Sequence, residues 1–310
     1  MMRNREKRSD VLPTLPWIVR RVMTGWLIGT LFGALPLPAP ALEVARSDGG
    51  TSPALAQDLR RTHDPADWLD FIVVTNDKVI LRATYCPPRN PQTGLVVVLH
   101  PMLGRTRETW HVFCHRLIDA GYGFCIYDAR GHGASVHRVG APDSVDYRTF
   151  AARGEDNEWN RLSADMGEVV DYLCAVHHLK HGRIIAGGAS IGANAAIRYA
   201  ASHPDIGGVL ALSPGLNYHD VKTDVAMKTL GAKGVPVFVA AAERDRDSFE
   251  STRTLVQIYQ DAARAGAGVV HRYQDGGAHG TEMLGGPLDE AMLEWLKTRA
   301  ASIPAAASVP

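Results

Sequence analysis

The chain has 310 residues, 45% hydrophobic and 21% charged, with 33 basic and 33 acidic side chains. That is a globular balance, long enough for one sizeable core. A formal charge of zero lacks the basic excess that nucleic-acid or anionic-membrane partners normally require, so neither is expected.

The first forty residues differ from everything after them. Arg3, Arg5, Lys7, Arg8, Arg20 and Arg21 precede an apolar run from Val22 to Leu37, followed by a small-x-small site at Ala39 and Ala41. This is the pattern of a secretory signal peptide, and the run is short and glycine-interrupted for a spanning helix, which wants ~20 apolar residues. Residues 1–41 are therefore expected to be a cleaved signal that exports the protein to the periplasm or beyond; an uncleaved anchor is the alternative. Residues 42–65 are expected to be a flexible segment, 66–301 one folded domain and 302–310 a frayed tail.

Within the domain, strand and helix patterns alternate. Phe71 to Thr75 and Val79 to Tyr85 read as an antiparallel pair around Asn76-Asp77, a turn signal. Leu95 to Leu99 is a continuous apolar run of the kind buried on both faces. Thr106 to Ala120 reads as a helix and Gly123 to Tyr127 as the next strand. Ser163 to His178 reads as a helix capped by Ser163, with Asp165 and Glu168 in its first turns. Strands at Ile184, Gly208 to Ser213, Val235 to Ala242 and Gly268 to Tyr273 follow. Helices are expected after Ser190, from Asp220 to Leu230, from Ser251 to Ala265 and from Pro287 to Ala300. Repetition at this spacing predicts an α/β fold: a mostly parallel central sheet with helices on both faces.

In such a sheet ligands bind at the carboxyl ends of strands, so residues there are the candidates. Gly188-Ala189-Ser190-Ile191-Gly192 sits at a strand-to-helix junction, where a tight turn exposes the serine hydroxyl and its flanking glycines avoid collisions. Asp245 follows the Val237–Ala242 run, with Asp247 the alternative acid. His279 follows the last strand. Serine, acid and histidine in that order, each on its own strand-end loop, suit nucleophilic acyl transfer. Ser190 needs a base to take its proton, an imidazole such as that of His279 is the side-chain type suited to this near neutral pH, and Asp245 would fix the imidazole tautomer.

The stretches His100-Pro101-Met102-Leu103-Gly104 and Asp128-Ala129-Arg130-Gly131-His132-Gly133-Ala134-Ser135, with the Ser190 elbow and the Ala278-His279-Gly280 loop, resemble the α/β-hydrolase superfamily over Phe71 to Ala300. The chain is most similar to small esterases and dienelactone-hydrolase-like enzymes within it. The resemblance implies an α/β-hydrolase fold with a minimal lid, a serine hydrolase acting on a small-molecule ester or lactone, and no cofactor. It assigns the oxyanion donors to the backbone N–H groups of Ile191 and Met102. Pro101 departs from the family's His-Gly pattern. Peptidase, lactonase, acyltransferase and non-catalytic binding readings share the same signature. Val136 to Asn160 and Leu216 to Lys233 are the segments available for a lid; both are short, which predicts an open cleft.

The remaining polar residues have structural readings. His100 would shape the oxyanion loop, and Asp128, Arg130 and His132 would organise theirs. His177, His178 and His181 carry no accompanying carboxylate or thiolate at metal-ligand spacing. Cys86, Cys114, Cys125 and Cys174 allow three full disulfide pairings, none preferred, and none has metal-site spacing. The oligomeric state is left open.

Overall fold

Runs of Val, Ile, Leu, Phe and Ala with no polar interruption supply the middle of the sheet, because a strand covered on both faces has no solvent side to populate. The computed structural model describes residues 68–91, 94–141, 144–154, 157–264 and 268–303. The expected signal (1–41), the flexible segment (42–65) and all of the expected tail except 302 and 303 lie outside the described residues.

The buried runs form β3 (Val96–His100), β4 (Gly123–Tyr127), β6 (Ile184–Ala189), β7 (Gly208–Leu212) and β10 (Val237–Ala242), each buried along its length. Strands β1 (Leu69–Val74) and β2 (Val79–Cys86) make the expected antiparallel pair, and Thr75 Oγ1 donates to Asp77 at 2.6 Å in the turn between them. With β5 (His137–Arg138) paired to β2 and β11 (Val269–Gln274) at the far edge, the order is β1-β2-β4-β3-β6-β7-β10-β11, and every pairing from β4 to β11 is parallel. The chain winds outward in both directions from β3, so the crevice at the ends of β3 and β6 is the topological switch point.

Side chains alternate along each strand and build two cores. Val97, Leu99, Phe124 and Phe238 pack with α1 (His111–Asp119) and α6 (Pro287–Ser302) through Phe113, Leu117, Trp295 and Leu296. Val96, Val98, Cys125 and Val239 pack on the other face with α2 (Leu162–His177), α3 (Ile191–Ser202), α4 (Asp224–Lys233) and α5 (Arg246–Ala262). Among the described residues no helix is long and apolar enough to cross a membrane.

Three helix starts differ from the sequence reading. Ser163 does not cap α2: a 3-10 turn, Glu158–Arg161, runs straight into the helix, and Asn157 caps that turn by accepting from Asn160 N. Helix α4 begins at Asp224 because His219 and Asp220 have positive φ (50° and 66°) between two-residue strands β8 (Asn217–Tyr218) and β9 (Val221–Lys222). Helix α5 begins directly after Asp245, whose carbonyl accepts from Phe249 N at 2.8 Å.

Candidate active site

Ser190 stands between β6 and α3 at φ 55°, ψ −124°, a conformation that a residue with a Cβ adopts only where its surroundings impose it. Its N–H donates to Leu212 O at 2.8 Å, tying the turn to β7. The flanking glycines show what holds the turn shut. A Cβ on Gly188 would sit on the Gly192 carbonyl, and one on Gly192 would lie 2.5 Å from Pro101 O and 2.6 Å from His100 O. The elbow and the loop after β3 are therefore seated directly on one another.

That seating brings Ile191 N and Met102 N to the same end of the sheet, and neither N–H has an acceptor among the described residues. The loop is held from behind by His100. Its buried ring places Nδ1 2.8 Å from Pro101 O, and the Trp110 indole donates to His100 O at 3.2 Å. Burial pushes the His100 pKa down to about 4, so the ring is neutral near pH 7 and carries its proton on the nitrogen facing the carbonyl. Proline is accommodated at 101 because the loop uses only the carbonyl of that residue.

Asp245 and His279 are joined by backbone before their side chains meet. The parallel ladder of β10 and β11 continues past the strands, with Glu243 N donating to Gln274 O (2.9 Å) and Arg244 N to Gly276 O (2.8 Å). Asp245 Oδ2 then accepts from His279 Nδ1 at 2.7 Å. Asp247 lies in the first turn of α5 and makes no such bond. The histidine loop is pressed onto the elbow: Gly280 (φ 57°) packs on Ala189 and the Met102 sulfur, and its N–H donates to Ser213 Oγ at 2.9 Å. No hydrogen bond joins Ser190 Oγ to the His279 ring in this structure. Such bonds are commonly long before substrate arrives.

Two side chains that sequence reasoning missed touch this group. Ser248 Oγ lies 3.3 Å from His279 Nδ1, and Tyr218 Oη lies 2.9 Å from Ser248 Oγ. Tyr218 sits in the β8–β9 hairpin, which Asn194 fastens to α3: its Nδ2 donates to Val221 O (2.7 Å) and its Oδ1 accepts from Gly215 N (3.0 Å).

The Asp128–Ser135 turn lies behind the site. Asp128 accepts from Arg107 N at 2.8 Å and Ala134 N at 2.9 Å. Arg130, 1% exposed, is forked onto Asp165 at 2.5 and 2.7 Å and also meets Asp77 at 2.9 Å and Glu158. Asp165 lies in the first turn of α2, as the sequence suggests, and is also the partner of a guanidinium 35 residues earlier. His181 faces Asp205 at 3.0 Å and His177 packs on Tyr85. Among the described residues no group of three His, Cys, Asp or Glu is arranged to hold a metal ion, and all four cysteines are free thiols.

No curated protein matches the chain by sequence. Among solved structures, an esterase from Pyrococcus furiosus superposes with a TM-score of 0.59 at 17% identity, covering 83% of this chain and 97% of that one. Dipeptidyl peptidase 4 from Porphyromonas gingivalis superposes with a TM-score of 0.58 at 14% identity, over 79% of this chain but only 37% of that one. A Thermus thermophilus protein gives 0.58 at 14% identity, over 76% of this chain and 99% of that one. These likenesses establish the fold. Residues 90–273, well over half of the chain, match the family described as "Serine aminopeptidase, S33", and the chain belongs to that family of α/β hydrolases.

Proposed function

We propose that the protein is an exported serine hydrolase that cleaves carboxylic esters through an acyl-enzyme on Ser190. The observation that carries this reading is the 2.7 Å bond from His279 Nδ1 to Asp245, on loops packed against a strained strand-end serine. Asp245 fixes the tautomer with its proton on Nδ1, which leaves Nε2 as the base that takes the Ser190 proton. The oxyanion that forms is received by the N–H groups of Ile191 and Met102, each without a competing acceptor. Water then releases the acid and regenerates the serine. Export rests on residues 1–41, and no metal or organic cofactor is invoked.

Esters or lactones reached through an open cleft are the proposed substrates. The two segments available for a lid support this: one contributes β5 to the sheet and the other a hairpin and α4, and among the described residues neither builds a separate cap. Cleavage of an N-terminal peptide bond is the second reading, favoured by the family's description.

A fluorophosphonate probe followed by mass-spectrometric mapping tests the nucleophile. Wild-type protein is expected to be labelled at Ser190 and to hydrolyse p-nitrophenyl acetate, and Ser190→Ala to do neither. Labelling elsewhere, or a fully active Ser190→Ala variant, would remove the basis for the proposal. Aminoacyl p-nitroanilides run beside acyl esters separate the peptidase reading from the esterase one.

A further inference from the structure

His279 Nδ1 has a second oxygen neighbour besides the acid: Asp245 Oδ2 lies at 2.7 Å and Ser248 Oγ at 3.3 Å. An ionised carboxylate only accepts, so the proton between Asp245 and the ring belongs to Nδ1. A hydroxyl facing a nitrogen that already carries a proton must present its oxygen. Ser248 therefore accepts from Nδ1, and its own single proton points elsewhere. The partner on that side is Tyr218 Oη at 2.9 Å. Burial pushes the Tyr218 pKa up, so the phenol stays neutral across the range in which a histidine titrates.

Both side chains are held in place. Ser248 is buried and is the third residue of α5, so the helix start that carries Asp245 carries it too. Tyr218 lies across the backbone of Gly215, where a Cβ would come within 2.6 Å of the ring, and Thr223 Oγ1 donates to Gly215 O at 2.7 Å. Together with the Asn194 bonds, this ties the hairpin to α3.

Resting on the reading of Ser190 as nucleophile and His279 as its base, we propose that Ser248 is a positioning residue. Its oxygen, oriented by Tyr218, is a second acceptor for the Nδ1 proton and stabilises the imidazolium formed each time Nε2 takes up a proton. In acylation that proton comes from Ser190 Oγ as the Oγ–C bond forms, and it passes to the leaving oxygen. In deacylation it comes from water as the new O–C bond forms, and it passes to Ser190 Oγ as the C–Oγ bond breaks and leaves its electron pair there. Ser248 and Tyr218 keep their protons throughout. A hydrogen bond from a charged donor is about twice as strong as one from a neutral donor, so the contact gains strength when the ring becomes charged. The ring is charged in the transition states of both halves, so both benefit alike.

The test is the pH profile of kcat/KM for p-nitrophenyl acetate in Ser248→Ala. On the alkaline plateau kcat/KM and kcat are both expected to fall about fivefold, with KM within about twofold of wild type because both halves slow together. On the plateau the ring is neutral at rest and charged in the transition state, so the lost bond counts. In the acid limb the ring is charged in both, so the two proteins should converge. The variant's acid limb then lies up to about 0.7 pH unit lower, the shift a fivefold factor corresponds to. Asp245 from α5, Tyr218 from the hairpin and Glu282 from the base's own loop are common to both proteins and cancel. The Glu282 carboxylate accepts from His279 N at 3.3 Å and meets Arg105 at 3.6 Å. Tyr218→Phe keeps the ring over Gly215 and removes the partner of the Ser248 proton, so it should give a smaller fall with the same convergence. A Ser248→Ala plateau within about 1.5-fold of wild type overturns the proposal, as does an equal fall at every pH, the mark of a pair merely displaced. An unchanged Tyr218→Phe profile overturns the orienting role of the phenol. Failure of the nucleophile reading looks different: wild-type protein itself would then not be labelled at Ser190 by the fluorophosphonate.

Discussion

Replacing Gly192 by alanine adds one methyl group at the point where the Ser190 elbow rests on the loop after β3, the proposed oxyanion loop. The new Cβ would stand 2.5 Å from Pro101 O, 2.6 Å from His100 O and 2.7 Å from His100 Nδ1, whereas ordinary contact begins at 3.4 Å. The shortfall is about 0.9 Å against two carbonyl oxygens, and neither can swing aside like the end of a side chain. Either α3 or the loop must shift by roughly that distance, so Ile191 N and Met102 N cannot both remain aimed at one oxyanion. A misplacement near 1 Å costs about 10²-fold in rate, and overpacking of this kind costs about 1–3 kcal/mol of stability. The assay is kcat/KM on p-nitrophenyl acetate with the urea midpoint measured beside it. Gly268→Ala is the control, because its Cβ meets nothing within 4 Å. If Gly192→Ala keeps wild-type turnover and stability, the elbow and the loop are not seated as described, and the assignment of Met102 N to the oxyanion falls with them.

Two further outcomes follow from buried charge. Arg130→Met leaves Asp165, 1% exposed, without its counter-ion, and should cost about 3–5 kcal/mol in urea unfolding; the double change Arg130→Met with Asp165→Leu should recover much of that loss, and a single variant of unchanged midpoint would show that the cluster adds nothing. His100 is held at about 4 by burial against an unfolded value near ~6.5, so between those limits the unfolded chain binds the extra proton and stability must fall as pH falls. The contribution is full above pH ~6.5 and amounts to a loss of about 2 kcal/mol by pH 5, with His132, also pushed down by burial, acting in the same direction. Urea midpoints from pH 7.5 to 5 on wild type and His100→Gln should give the shallower slope in the variant; parallel slopes would contradict a neutral buried His100.

The sequence discloses those parts of the site that a local pattern carries. Gly188 and Gly192 flag the elbow because a Cβ at either would collide, and that requirement leaves a mark within one short stretch, Gly188-Ala189-Ser190-Ile191-Gly192. The choice between Asp245 and Asp247 is not local. It depends on α5 starting immediately after Asp245, where Arg246, Asp247 and Ser248 read as loop because polar residues at a helix start carry no apolar period. Tyr218 is hidden for the same kind of reason. Its two-residue strand is too short for any periodicity, and the run Asn217 to Asp220 looks like the entry to a helix until the positive φ of His219 and Asp220 is known. Asp165 illustrates the general limit. Its place in the first turns of α2 suggests a favourable helix-dipole charge, but its partner is a guanidinium 35 residues earlier in a separate turn, and pairing at that range leaves no trace in spacing.

The two sides of the site are also held by different means, and this governs where it should tolerate change. Asp245 and His279 are brought together by a main-chain ladder running beyond β10 and β11, which any residue except proline can supply at the donor positions. Variation at Arg244, Asp275 or Gly277 should therefore leave the acid–base pair in register. The nucleophile's surroundings depend instead on single side chains or their absence: Gly192 against the oxyanion loop, Gly280 against Ala189, Asn194 across to the Tyr218 hairpin. A buried amide like Asn194, satisfied at both ends, leaves two main-chain groups unpaired when it is removed, at about 1–3 kcal/mol for each that stays buried. The strain of Ser190 at φ 55° is sustained by these same contacts, since a serine in that region relaxes unless its neighbours forbid it. Sensitivity to substitution should thus be concentrated around the elbow and sparse around the acid, although both belong to the one proposed reaction.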